Sequence, residues 1–403
     1  MNNNHDFTEG EILRPMLTFR GPVLLAMFLQ SLYGAVDLMV VGKFAEAADA
    51  SGVNTGSQVM MMLTFVVTSF SMAVTILMGQ HIGEKSPEKA GDVIGTGIIM
   101  FAVMAIAMTF AGVMFAPEIA AGLKAPRDAF NQTVSYIKVC SSGFVFIIAY
   151  NVMSGVFRGV GDSVMPLISV TIASVFNIIG DLFFVKGMGM GAKGAAIATV
   201  MAQVISVILS MFIISKRKMP FILTKDKLRI DKSIAKRIFS LGTPLLLQDI
   251  LVSVSFLFLL AITNSRGVIV SAGVGIAEKL CGFIMLVPSA FSQSVSAFVA
   301  QNVGARRMDR ANKALKYAIA VSVCVGLVIA YVAYFHGDIL CEIFSDDPAI
   351  IAAAWEYLKA YGIDTIICTF MFCFIGYFNG RGKTVFTMAQ NVIGSFCIRI
   401  PVA

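Results

Sequence analysis

The sequence predicts an all-α polytopic membrane protein, built as two six-helix lobes related by a parallel internal repeat. Three observations predict it. Hydrophobic residues make up 57% of the 403 and charged residues 14%, with a mean hydropathy of +0.83; ordinary globular domains run near a quarter charged. Apolar windows of about twenty residues, the length that crosses a bilayer's hydrocarbon core, recur along the whole chain. Finally, the second half repeats the first at a fixed shift.

The apolar runs lie between charged or Gly/Pro-rich breaks. In the first half they cover 17–43, 52–80, 91–115, 130–156, 164–186 and 192–214. In the second they cover 237–262, 270–300, 311–335, 353–378 and 384 to the end. Several exceed the minimum for a bilayer, so tilt or extension beyond the membrane is expected. The division that follows is an N-terminal tail at 1–16, a first lobe at 17–214, a polar linker at 215–236 and a second lobe at 237–403. The second lobe shows five spans against six in the first, so a twelfth helix is expected beyond IRIPVA.

The repeat rests on one register. A shift of 221 residues places Phe70, Ser71 and Val74 on Phe291, Ser292 and Val295, and Gln80 and Gly83 on Gln301 and Gly304. Tyr136 and Lys138 fall on Tyr357 and Lys359, and Gly159 and Gly161 on Gly380 and Gly382. A one-residue adjustment aligns Gly21-Pro22 with Thr243-Pro244. Six spans separate the halves, so both start on the same side and the repeat is parallel. Such two-lobed proteins carry substrate in the cleft between lobes and expose it to alternate sides.

Charge sets orientation. The net charge of +7 would suggest nucleic acid in a soluble protein, but here the cations sit between apolar spans and no nucleic-acid partner is expected. With the N-terminus cytoplasmic, inside loops hold about twenty Lys and Arg and outside loops about six, as the positive-inside rule requires. The loop at 336–352 has Asp338, Glu342, Asp346 and Asp347 and no Lys or Arg. The first sixteen residues lack the apolar core and cleavage site of a signal peptide. The seven cysteines form no CxxC pair and read as small core residues. His5, His81 and His336 all fall in tails or loops, which leaves no nucleophile–base or metal set for an enzyme. The RGVGD and NGRGK loops lack P-loop spacing and read as tight turns.

A carboxylate in hydrocarbon costs several kcal/mol unless it is paired, protonated or in a wet cavity. Asp37 and Asp181 stand out on that ground. At 1.5 Å rise per residue, Asp37 lies about 9 Å and Asp181 about 8 Å from the outer ends of their spans. By the same count Tyr136 lies about 9 Å and Thr199 about 10 Å below the starts of theirs. Four polar groups from four helices therefore share one level. Asn177 precedes Asp181 by four and shares its face, and Gln30 precedes Asp37 by seven. Two acids in low dielectric cannot both stay ionised comfortably, which makes a proton site. Alternatively, Asp37, Asn177, Asp181 and Thr199 offer the all-oxygen ligands that suit a hard cation such as Na+. In the second half, Glu278 is a candidate for the substrate cavity, where Lys279 could pair with it; Asp249, Asp364 and Arg399 are similarly placed. Met60-Met61-Met62 reads as helix packing. Pro22 opens the first span, and if that helix extends earlier it permits a bend.

The run GPVLLAMFLQSLYGAVDLMVVGKF resembles the first helix of multidrug and toxic compound extrusion (MATE) transporters. GQHIGEKSPEKA and AQNVGARRMDRANKA resemble that family's repeated Gln-x-x-Gly loop. GVFRGVGDSVMP resembles its Arg-Gly-x-Gly-Asp loop, and NIIGDLFF its fifth-helix Asn-x-x-x-Asp. The resemblance covers essentially the whole chain. It implies twelve helices in two lobes and export of drugs and organic cations by antiport with H+ or Na+. The DinF-like branch is the nearest; its cation-responsive acids match Asp37 and Asp181, with Asn177, Tyr136 and Thr199 around them. Gln30 and Asn151 match pocket positions. In the NorM-like branch an acid sits in the seventh helix, where this chain has Val252. The expected setting is a multi-pass monomer in the cytoplasmic membrane, with small amphipathic or cationic substrates, surrounding lipid, and no cofactor beyond the coupling ion. The competing reading is a flippase for lipid-linked oligosaccharide or polysaccharide, which would line its cavity with several Arg and Lys.

Overall fold

The computed structural model describes residues 6–217 and 219–402, and helices carry most of them. The first half holds α1 (Leu13–Phe44), α2 (Ala47–Gly83), α3 (Pro87–Met114), the short α4 (Ala116–Gly122), α5 (Phe130–Ser142), α6 (Phe144–Val160), α7 (Val164–Asp181) and α8 (Gly191–Lys216). The second holds α9 (Lys232–Asn264), α10 (Val268–Ile284), α11 (Leu286–Gly304), α12 (Met308–Phe335), the short α13 (Gly337–Glu342), α14 (Pro348–Gly380), α15 (Thr384–Ile393) and α16 (Ile400–Val402). Among the described residues nine spans are long and apolar enough to cross a bilayer, and a bent pair makes a tenth. The eleventh predicted span is helical from Thr384 to Val402, through a π turn at Gly394–Arg399.

Two predicted spans differ in detail. The fourth is broken at Gly143 into α5 and α6, bent by 54°. A Cβ on Gly143 would lie 2.3 Å from a methyl of Val200 on α8, so the break lets α8 approach the backbone itself. The eighth span passes from α10 to α11 at Met285 but runs as one span over Val268–Gly304, without a bend of that size.

Contacts divide the chain into two compact units, Leu25–Ser240 and a second made of residues 6–24 with 241–402. Helix α1 begins at Leu13, so Pro22 lies inside it, and Pro244 lies inside α9. Each proline lacks the amide that would donate to the carbonyl four residues back. In the second unit the segment before α1 is fastened to the end of α11. Phe7 is buried between Phe19 and Phe298, and Asn302 Nδ2 donates to the Phe7 carbonyl at 3.1 Å. Arg307 and Arg310 donate to the carbonyls of Thr8 and Gly10, both at 2.8 Å.

The repeat is visible in packing as well as in sequence. A Cβ on Gly52 would lie 2.7 Å from that of Gln132; one on Gly273 would lie 2.7 Å from that of Ala353, both 221 positions on. Gly159 abuts the Thr75 carbonyl at 2.9 Å, and Gly380 the Ser296 carbonyl at 2.6 Å, measured the same way. Without a hydrophobic force between helices in lipid, close approach at small residues is what associates them. Both units therefore use the same small-residue seams.

The Arg-Gly-x-Gly-Asp loop owes its shape to Gly161, at φ +91°, and to Asp162. The Asp162 carboxylate accepts from the amides of Val164 and Met165 at 3.0 and 3.1 Å, capping α7, and meets Arg217 at 2.9 Å. Arg217 is 40% exposed, so solvent screens the ion pair and it adds little. Asp162→Ala is expected to cost about 1–2 kcal/mol through the lost cap. The readout is the melting temperature of the purified protein, and an unchanged value would refute the capping role.

Candidate functional site

Close helix crossings in the first unit assemble the site. Gly180 of α7 packs on Ala198 of α8, where an added Cβ would lie 2.9 Å from the alanine methyl. That seam brings α7, with Asn177 and Asp181, against α8, with Thr199. Ser206 Oγ donates to the Ser169 carbonyl at 2.8 Å, and the Ser169 and Ser210 hydroxyls meet at 2.6 Å, which holds the register. Asp49 accepts from the Ala192 amide at 2.8 Å and so ties the start of α8 to α2. Gly56 of α2 makes room for the Tyr136 ring of α5, which an added Cβ would meet at 2.4 Å. After Asp181 the helix widens into a π turn at Leu182–Gly187, a feature frequent at functional sites.

Four predicted residues converge there. Thr199 Oγ1 donates to Asp37 Oδ2 at 3.1 Å and accepts from Asn177 Nδ2 at 3.4 Å. The Asp37 carboxyl also neighbours Asp181 and Asn177. Asp37 is 5% exposed and Asp181 0%. Asp37 Oδ1, Asn177 Oδ1 and both Asp181 oxygens are buried and receive no hydrogen bond from a donor among the described residues. Two carboxylates without a donor between them can bond to each other only when one carries a proton. Deprotonated together, they present a ring of bare acceptors that a hard cation would satisfy. The geometry supports both chemistries that the sequence left open.

A cavity of about 510 Å³ opens beside this cluster, within the first unit. Its walls include the predicted Gln30, Asp37, Tyr136, Asn151 and Thr199. Asn177 and Asp181 stand behind the wall, so Asp37 is the carboxylate that faces both the cavity and the buried pair. Among the wall residues that went unpredicted are Tyr33, Cys140 and Gln203. Each sits one helical turn from a predicted one (Asp37, Tyr136 and Thr199), and the i, i+4 rule would have found them. Met60 and Met61, read from sequence as packing, also wall the cavity. Their helix faces it near Thr64 and Phe65, and the flexible thioethers suit an adaptable surface.

Glu278 is not brought into this cavity. It lies on α10 in the second unit, three residues before Cys281, which packs against Tyr357 and Tyr361 of α14. The adjacent Lys279 is exposed and forms no ion pair with it among the described residues. Asp364 accepts from the Cys368 thiol at 3.4 Å, while Arg399 donates to Ser255 at 3.3 Å and lies over the Phe256 ring.

A MatE family model matches residues 22–183 and 244–403. The two stretches start at Pro22 and Pro244, the prolines that the repeat aligns. The chain is 24% identical to the probable multidrug resistance protein YoeA of Bacillus subtilis (strain 168), over 98% of this chain and 87% of that protein. It is 23% identical to the multidrug export protein MepA of Staphylococcus haemolyticus (strain JCSC1435), over 96% of this chain and 86% of that one. Its fold matches a crystal structure of MATE in complex with MaD3S at a TM-score of 0.93 and 18% identity, covering all of this chain and 89% of the other. With the family model matching both halves of the chain, the chain belongs to the MatE family.

Proposed function

We propose that this protein is a secondary active exporter of drugs, organic cations or other toxic compounds, exchanged for H+ or Na+ across the cytoplasmic membrane. The observation that carries the reading is the buried oxygen cluster of Asp37, Thr199, Asn177 and Asp181, which meets the cavity at Asp37. The names of the similar proteins, multidrug resistance and multidrug export, point the same way. A cluster confined to the first unit, with Val252 in place of a seventh-helix acid, favours the DinF-like branch.

Asp37 is the shared element. A cationic substrate in the cavity is attracted by its charge, and a proton or Na+ arriving at the Asp37–Asp181 pair cancels that charge. The two ligands compete, and competition at one carboxylate is enough to couple their movements in opposite directions. Export follows if ion capture and substrate release occur on the outer side, and ion release and substrate capture on the inner one. Gln30 and Asn151 supply amides that orient the substrate, and Tyr136, Met60 and Met61 supply its apolar walls. Pro22 is the place where α1 would bend during the cycle. The Lys and Arg bias puts the N-terminus in the cytoplasm. The protein acts as a monomer and performs no enzymatic step.

The test is efflux of a cationic dye from expressing cells, with a proton uncoupler and with sodium present or withheld. Loss of efflux with the uncoupler at any sodium concentration identifies the proton as the coupling ion. Strict sodium dependence identifies Na+ at the same cluster. Absence of dye export in every condition overturns the exporter reading in favour of a lipid-linked saccharide flippase.

A further inference from the structure

The segment that follows α8 is polar and basic, yet it is pinned in place. Ile222 donates its amide to the Pro87 carbonyl at 3.1 Å, and Thr96 Oγ1 donates to the Arg229 carbonyl at 3.3 Å. Lys227 Nζ donates to the Glu88 carbonyl at 2.7 Å and to Asp92 Oδ1 at 2.9 Å. Gly91 and Gly95 admit the segment's backbone, since an added Cβ would lie 1.8 Å from the Ile222 carbonyl oxygen and 1.9 Å from that of Lys227. The segment therefore lies along the first turns of α3, at the end of that span and beside the end of α2.

Fixing the backbone inward turns apolar side chains outward. Ile222, Leu223, Leu228 and Ile230 are 46%, 41%, 45% and 52% exposed. Between 216 and 237 there are nine Lys or Arg and two Asp. Lys225, Arg229, Lys232 and Lys236 are exposed and form no ion pair among the described residues. One of the two acids, Asp231, is spent at the start of α9, where it accepts from the amides of Ser233 and Ile234 at 2.8 and 3.1 Å. Four outward aliphatic side chains and four exposed cations, held at the end of membrane spans, describe a surface with an apolar and a cationic requirement at one level. The bilayer interface meets both, with acyl chains for the aliphatic groups and headgroup phosphates for the cations.

We propose that this segment is a docking surface for anionic phospholipid headgroups, with Ile222, Leu223, Leu228 and Ile230 seated at the acyl boundary and Lys225, Arg229, Lys232 and Lys236 on the phosphates. The positive-inside bias orients a chain without selecting a lipid; this surface selects one. The test uses the full chain in vesicles with Leu228→Trp as reporter, and the parent chain, whose single tryptophan is Trp355, as background. Brominated phosphatidylglycerol is expected to quench the new tryptophan more than brominated phosphatidylcholine does, and the excess should fall as salt is raised. Neutralising Lys225, Arg229, Lys232 and Lys236 to Gln should reduce the phosphatidylglycerol preference by roughly fivefold per charge at low salt. Equal quenching by the two lipids would overturn the anionic selectivity. No quenching by either would overturn docking to the bilayer and leave the surface to a soluble acidic partner. Salt dependence in the unneutralised protein keeps the test decisive even if the fourfold variant fails to fold.

Discussion

Asp37→Asn is expected to reduce efflux to the level of cells lacking the protein, with the chain still expressed and inserted. Asn matches Asp in shape and still accepts from Thr199, so the helix contacts at Gly180, Ala198 and Gly56 remain. What it removes is the charge that faces the cavity and the carboxyl that approaches Asp181. At 4 Å and an effective dielectric of about 20, a unit charge pair interacts by about 4 kcal/mol, on the order of a thousandfold in cation affinity. The ion loses its site by the same change, because Asp181 alone no longer has an acidic partner. Substrate binding and ion binding should therefore fall together, by direct binding to purified protein. Undiminished efflux in this variant would sink the mechanism. Loss of efflux with both affinities intact would show that Asp37 serves another step.

Gly376→Ala is expected to destabilise the second unit by about 1–3 kcal/mol, the usual cost of forcing extra volume into a packed interior. The added methyl would lie 2.3 Å from the Ser292 carbonyl oxygen and 2.9 Å from its Cα, both backbone atoms that no side-chain rotation can move away. Helices α14 and α11 would have to separate along their shared seam. Gly282→Ala, inside α10, is the matched control, because nothing lies within 4 Å of its added Cβ. There the better helix propensity of Ala should leave stability equal or raise it by about 0.5–1 kcal/mol. Melting temperatures in detergent check the pair. A similar loss at both sites would show that the close approach to Ser292 does not set the result.

Much of this arrangement was legible before any coordinates. Hydropathy is a one-dimensional quantity, and its apolar runs located the nine long spans and the bent tenth among the described residues, because in lipid each helix must satisfy its own backbone whatever its neighbours do. The 221-residue register predicted a repeat that recurs in the Gly52 and Gly273 contacts. Depth counting along independent spans placed Asp37, Tyr136, Asp181 and Thr199 at one level. Tyr33, Cys140 and Gln203 lie one helical turn from Asp37, Tyr136 and Thr199, so the same helix faces carry their signal in the sequence.

Other features had no one-dimensional signal. That α5 and α6 bend by 54° at Gly143 depends on Val200, fifty-seven positions away. That Asp37 walls the cavity while Asp181 stays behind it depends on how α7 meets α8 at Gly180 and Ala198. Whether Met60 and Met61 pack or line a pocket depends on which way α2 is rotated, and the seams at Gly52 and Gly56 set that rotation. The pinning of residues 222–231 along α3 likewise required Gly91 and Gly95 to meet a backbone distant in sequence. Span positions and the repeat are properties of the chain alone, since lipid imposes the same length and polarity on every helix. Which polar groups converge is decided by close packing between helices, where atoms far apart in sequence exclude one another from the same space.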